Sequence, residues 1–202
     1  MPEIPSDEGE FLFVGDHPAL DFLNTAPITE EGRDEKLESM DALFRWYARV
    51  EIVTPEAIAN LRDSNFVRDR ADEIIQSARD FRAEYRSFVT AWTSVDESED
   101  RSILDDWLRK VRPLLQFSAD GHALEPALPP EPEEPKEMIG PVVYHAARLA
   151  IDVDRRRISQ CDGRDCVLLF VDTTRNRSRR WCRMSKCGNR AKVRRHRNQS
   201  ES

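Results

Sequence analysis

The stretch Cys161–Arg197, CDGRDCVLLFVDTTRNRSRRWCRMSKCGNRAKVRRHR, holds all four cysteines of the 202-residue chain. They fall as Cys161-x4-Cys166 and Cys182-x4-Cys187, with fifteen residues between the pairs. Two close pairs held apart by a strand-and-turn length of chain supply a tetrahedral zinc site, because each pair covers one edge of the tetrahedron from one tight loop. Asp162-Gly163-Arg164-Asp165 is a turn-prone insert whose glycine lets backbone amides face the sulfurs. Lys186, Gly188, Asn189 and Arg190 crowd the second pair in the same way. Four thiolates around one Zn2+ leave a net charge of about −2, so amide donors and cations beside them favour thiolate over thiol. Such a sulfur shell is full, which makes the ion structural rather than hydrolytic. In a reducing compartment disulfides rarely persist, so one structural zinc is preferred to two disulfide bridges.

Between the pairs, Val167–Val171 reads as a short apolar strand that packs on Trp181, and Arg175–Arg180 returns toward Cys182 as a basic strand or loop. Asn189–Arg197 suits a terminal helix that starts against the metal. Two short strands, a zinc site and a helix describe a treble-clef-like module.

The run Phe170-x-Asp172-x-x-Arg175-Asn176-Arg177-Ser178-Arg179-Arg180-Trp181-Cys182, followed by Met184 and Cys187-Gly188-Asn189-Arg190, closely resembles the CGNR zinc-finger family. Leu20-Asp21-Phe22-Leu23-Asn24-Thr25 is similar to the Leu-Asp-Phe-Val-Asn-Thr motif that commonly opens that family's helical N-terminal region, the ABATE domain. The resemblance implies a bacterial transcription regulator, stress-induced in some relatives, with DNA as its partner.

Net charge is −7, which alone argues against a nucleic-acid partner. Its distribution reverses the argument for one end. Residues 151–202 hold 15 Lys+Arg against 6 Asp+Glu, and from Arg175 to Arg197 there are 11 basic residues and no acidic one. An acidic body thus carries a basic tip, and a field of that density attracts polyanions. Three readings of the tip stand side by side. In the first, Arg175, Arg177, Arg179, Arg180, Arg183, Arg190, Lys192, Arg194 and Arg195 meet phosphates, and Asn176 or Asn189 reaches a base edge. In the second, the module binds an acidic protein surface and never touches nucleic acid. In the third, some arginines are structural, with Arg179 or Arg190 holding the carbonyls of the thiolate loops.

Upstream, the chain reads as mainly α: a multi-helix body with a short β-hairpin. The first ten residues are an acidic, Pro-containing arm, and Phe11–Val14 is a short strand or a plug for the core. Asp16 is placed to cap a short helix with Pro18 in its first turn. Asp21 and Asn24, three apart, share a face of it. They form either a small-ligand pocket or a capping and hydrogen-bonding pair between helices. Further helices are expected from about Ser39, from Thr54-Pro55-Glu56 to Arg62, from Val67 to Trp92 and from Ser102 to Leu115. A charge run, Asp96–Asp100, breaks the third of these from the fourth. Gln116–Leu124 reads as a hairpin around Asp120-Gly121, and Glu125–Pro135, with five prolines, as an irregular linker. A helix marked by Met138, Val142, Ala146, Leu149 and Val153 then leads into Cys161. The expected division is an acidic helical domain at 1–135, a connecting helix at 136–160 and the finger with its basic tail at 161–202.

No stretch is long and apolar enough to span a membrane, and the N-terminus lacks a signal-peptide pattern, so a cytoplasmic protein is expected. The four histidines are dispersed, and neither a phosphate loop nor a nucleophile motif is present, so the expectation is a protein that is not an enzyme. Nothing identifies an effector. A homodimer is expected because one small finger offers little area for site-specific binding.

Overall fold

Ser64 starts the longest helix: its hydroxyl accepts from the Val67 amide at 3.2 Å, and the helix, α4, runs Asn65–Trp92. Val67, Ile74, Ile75, Ala78, Phe81, Tyr85, Phe88, Val89 and Trp92 are buried along it, at the three-and-four spacing of a single apolar stripe. Its aromatics stack in sequence, Phe81 on Tyr85 at 5.3 Å, Tyr85 on Phe88 at 6.0 Å and Phe88 on Trp92 at 5.6 Å. Each such fully buried side chain contributes about 1.5–3 kcal/mol from area alone. The computed structural model describes residues 11–29, 32–94 and 100–200, without the side chains of residues 29, 195 and 198–200. The acidic arm at residues 1–10, most of the charge run Asp96–Asp100 and the side chain of Arg195 lie outside that description.

Two further helices precede α4: α2, Met40–Val50, capped by Ser39, and α3, Pro55–Arg62, capped by Thr54. Tyr47 of α2 is buried and donates its hydroxyl to the Met138 carbonyl at 2.7 Å. Helix α5, Ser102–Val111, sets Trp107 edge-on against Phe81, with its indole N–H on Glu84 at 2.7 Å. The expected continuation of α5 to Leu115 does not occur. Arg112 takes a left-handed conformation with φ 42°, and Pro113 has no N–H to continue the ladder. The chain instead enters a hairpin of β3, Leu114–Phe117, and β4, Leu124–Ala127, whose turn uses Gly121 at φ 73°. Pro126 therefore lies in a strand, within a segment whose prolines predicted irregular chain. A two-stranded sheet tolerates it, because the missing N–H faces outward. A 3-10 turn, Pro135–Ile139, leads into α6, Gly140–Asp152. Helix α6 stops at Asp152, so residues up to Gln160 are not the expected connecting helix; a short 3-10 turn at Arg155–Arg157 precedes a strand.

Contacts group Lys36–Val153 into one compact unit and residues 11–35 with residues 154–200 into another. That grouping differs from the division at 135 and 160 drawn on composition. In the second unit β5, Ile158–Gln160, pairs antiparallel with β6, Leu169–Val171, flanking the first cysteine pair. The segment Arg175–Arg180, expected as a possible return strand, is a loop. A π-type turn, Met184–Gly188, carries Cys187 and opens into α7, Asn189–Ser200. Strand pair, metal loops and terminal helix are the expected treble-clef-like arrangement.

The N-terminal segment completes this unit. Its short helix α1, Pro18–Leu23, is capped by His17 rather than Asp16, which sits at φ 54° one residue earlier. Val14 is not in a strand; it is buried with Cys161, Leu168, Phe170 and Cys182, as a plug. The outer edge of β6 is satisfied by this segment too. Val171 donates to the Gly15 carbonyl at 2.9 Å, and the Asn24 amide both accepts from Leu169 N–H and donates to Leu169 C=O, each at 2.9 Å. Ile28–Thr29 and Gly32–Arg33 form a small antiparallel pair, β1 and β2, in the same unit. The seven helices and three two-stranded sheets of the described residues make the protein mainly α.

Candidate metal centre and nucleic-acid interface

The four cysteine sulfurs lie within 4.8 Å of one another. Cys182 Sγ is 3.9 Å from Cys166 Sγ and 3.6 Å from Cys187 Sγ. A tetrahedron with Zn–S bonds of about 2.3 Å has edges of about 3.8 Å, so these sulfurs already stand at the vertices a zinc ion requires. Backbone N–H groups of Gly163 and Cys182 point at Cys161 Sγ from 3.4 and 3.2 Å. Such donors stabilise thiolate charge.

Crowding of the sulfurs also favours a cation among them. The hydrogen bond with Cys182 draws the Cys166 thiol down to about 5. Cys182 is pushed far above the ordinary thiol range by that same bond, then by burial and the charge on Cys166. Burial first, and then the Cys166 charge, pushes Cys187 up to about 11. One thiolate forms readily and its neighbours resist, a repulsion that a divalent ion at the centre removes. Cys161, Cys166, Cys182 and Cys187 thus form a site for one structural Zn2+, with every coordination position filled by sulfur.

Two glycines are fixed by this geometry. A Cβ on Gly163 would stand 2.9 Å from Cys187 Sγ, and one on Gly188 would overlap Met184 Sδ and stand 3.1 Å from Trp181 Cδ1. Asn189, next in the Cys-Gly-Asn-Arg run, donates its amide to the Ser185 carbonyl at 3.2 Å and ties the π-type turn to α7.

Arg179 is held within the module, in the manner of the third reading of the tip. All its N–H groups are engaged: Nε on Trp181 O at 3.1 Å, Nη1 on the Asp16 carboxylate and on Val171 O at 3.3 Å, and Nη2 on Val14 O at 3.1 Å and Cys182 O at 2.8 Å. Its guanidinium also lies over the Phe170 ring at 4.2 Å. Five donors in one planar fork join the N-terminal segment, β6 and the second cysteine loop. Asp172 organises the basic loop from within. It is buried and accepts from the Thr174 amide at 2.8 Å, the Thr174 hydroxyl at 2.6 Å and the Arg179 amide at 2.9 Å.

Asp21 and Asn24 have the geometry of hydrogen-bonding residues, though their partners are backbone groups and not another helix. Asn24 clamps Leu169, and Asp21 accepts from the amides of Val14 at 2.9 Å and Gly15 at 2.7 Å. Burial pushes the Asp21 carboxyl up to about 6, against the pull of the two amides.

The remaining candidates lie apart from these clamps. Arg175, Asn176 and Arg177 are exposed on the loop, with Arg177 at φ 48°. Arg180 is exposed, pairs with Asp162 at 2.7 Å and lies over the Trp181 ring at 5.1 Å. Arg183 is half-buried just before the π-type turn, and Lys192 is exposed on α7. Arg190 and Arg194 belong to one face, where with Lys186, Asn189, Val193 and Arg197 they line a shallow depression of about 640 Å3. Lys186 and Arg197 were not singled out as contacts by sequence, although the four-four-three spacing from Lys186 through Arg190 and Arg194 to Arg197 is the signal of one helical face.

A full four-sulfur shell in a strand-and-helix unit, joined to a helical unit, defines a zinc-finger protein with a helical companion domain. The chain belongs to the ABATE family: the model described as "Putative stress-induced transcription regulator" matches residues 16–155, and the CGNR zinc finger model matches residues 157–200. No curated protein matches the chain. Among the described residues, no helix is long and apolar enough to cross a membrane.

Proposed function

We propose that the protein is a cytoplasmic, non-enzymatic transcription regulator that binds duplex DNA through α7 and the turn before it. The helical unit serves as its sensor or dimerisation module. The observation that carries this reading is the face of Lys186, Asn189, Arg190, Val193, Arg194 and Arg197. Residues 173–200 contain no acidic side chain, so the turn and α7 supply no counter-charge of their own within that segment. A helix of twelve residues is about 18 Å long and about 10–12 Å wide, the dimensions of a major-groove reader. Its four cations suit phosphates on both sides of the groove, the outward part of Asn189 suits a base edge, and the exposed Val193 suits a thymine methyl.

The family's description supports a regulator, and the charge distribution supports a polyanionic partner. The test is retention of fragments from a pooled genomic library by the zinc-loaded protein. Arg190→Ala/Arg194→Ala is the appropriate control, since neither side chain takes part in the clamps that hold the metal loops. Selective retention lost in the double variant supports the reading. Retention unchanged in that variant, or none by a protein with one zinc per chain, overturns it and favours an acidic protein partner.

A further inference from the structure

The hairpin of the helical unit has one closed edge and one open edge. In β3, Leu114-Leu115-Gln116-Phe117, all four residues are exposed. Leu115 faces Pro126, Gln116 faces Glu125 and Phe117 faces Leu124 across the pair. Hydrogen-bonded and non-bonded pairs alternate along an antiparallel ladder. Ser118 donates to the Ala123 carbonyl at 2.9 Å, which makes Ser118–Ala123 a bonded pair and Gln116–Glu125 the next one. Leu115 and Phe117 therefore direct their N–H and C=O groups away from β4, and Pro126, which has no N–H, sits where none is needed. The outer edge of β4 is closed by that same proline and by Tyr144, whose hydroxyl donates to Leu124 O at 3.2 Å. The outer edge of β3 has no proline, charge or bulge, the usual devices that blunt a strand edge.

The side chains repeat the asymmetry. Leu115, Phe117, Leu124 and Pro126 share one face of the hairpin, and the first three are 43%, 74% and 51% exposed.

We infer that β3 pairs with β3 of a second copy of this chain, antiparallel about a twofold axis through Gln116, so that a four-stranded sheet crosses a homodimer. This register sets Leu115 opposite Phe117 of the second copy as a bonded pair, and the reverse, which satisfies every outward group of both strands. The same operation makes continuous apolar rows, Leu124 and Phe117 running into Leu115 and Pro126 of the second copy. An uncharged strand meets its own copy without like-charge repulsion. With Leu114, 44% exposed on the other face, the hairpin offers on the order of 400 Å2 of apolar side chain per copy. Edge pairing covers mainly the outward backbone and the flanks of Leu115 and Phe117 while the sheet faces stay open, so the interface is a small one that suits a weak, concentration-dependent dimer. The inference is independent of DNA binding.

Sedimentation velocity on the full-length, zinc-loaded protein without DNA tests it. At tens of micromolar the wild type sediments at twice 23.4 kDa. Phe117→Lys and Leu115→Lys, at exposed positions, weaken the dimer at least about tenfold with unchanged circular dichroism, since a lysine in each row meets an apolar partner. Ile28→Lys, at an exposed apolar residue outside the hairpin, leaves the dimer intact. Gln116→Cys supplies the register. Facing residues of a non-bonded pair have Cα atoms about 4.5 Å apart, within disulfide reach, so this variant crosslinks between chains under mild oxidation while the zinc-bound wild type does not. A wild type at 23.4 kDa throughout the concentration range, whatever other protein its hairpin captures, overturns the inference. So does a dimer that Phe117→Lys leaves intact, or a Gln116→Cys variant that stays uncrosslinked.

Discussion

Replacing Arg179 with lysine separates a structural clamp from a phosphate contact. Lysine keeps the charge but offers three donors at one point in place of a planar fork of five. The carbonyls of Val14, Val171, Trp181 and Cys182 and the Asp16 carboxylate all accept from Arg179, whose side chain is only 22% exposed. Hydrogen bonds to a charged group are worth about 1.5–3 kcal/mol each, and lysine retains some of them, so a loss of about 3 kcal/mol is expected for the zinc-bearing unit. Zinc binding and folding of such a module are linked, so the loss appears as roughly a hundredfold weaker zinc affinity. Competition against a chromophoric chelator measures it directly. If Arg179→Lys holds zinc as tightly as the wild type while Arg179→Ala impairs only DNA binding, the clamp assignment is refuted and Arg179 is a phosphate ligand after all.

The metal itself gives a second prediction: chelation unfolds the unit of residues 11–35 and 154–200, and far-UV circular dichroism retains most of its helical signal from α2–α6. Asn24→Ala leaves both the N–H and C=O of Leu169 without their partner and costs about 2 kcal/mol, seen as a lowered melting temperature of the zinc-loaded protein. Asp21 carries a pH signature. Its folded pKa of about 6 lies above the 3.8 of an ordinary carboxyl, so the folded state holds a proton that the unfolded state has released, and stability falls as pH rises toward and through 6. Relative to Asp21→Asn, which does not titrate, the wild type loses about 1 kcal/mol between pH 5 and pH 7. A constant difference between the two melting curves over that range contradicts the buried-carboxyl reading.

Periodicity made the helical unit legible. The stripe from Ile74 to Trp92 and the Ser39 and Thr54 caps each follow from local residue chemistry, and the helices occur where those signals stand. Leu115 misled because it continues the spacing of α5, while the left-handed Arg112 and Pro113 end the helix before it. The metal site was legible for a different reason: cysteine spacing is nearly a statement of coordination geometry. The clamp around it was not. Arg179 is one of 11 basic residues in a row without acids, and only the folded chain brings four carbonyls and Asp16 to its guanidinium. Nor does any local pattern reveal that Val14 packs beside Cys161 and Phe170, or that Asn24 completes the edge of β6. Contacts so distant in sequence leave no periodic trace, and each residue is an ordinary member of its own segment.

The most direct measurement of the central claim is the salt dependence of duplex DNA binding by the zinc-loaded protein. Phosphate contacts by Lys186, Arg190, Arg194 and Arg197 release counterions, so the logarithm of the binding constant should fall against the logarithm of salt with a slope of about −3.6. Arg190→Ala/Arg194→Ala should reduce that slope by about half. A slope near zero, or one that the double variant leaves unchanged, contradicts the assignment of α7 as the DNA-reading element.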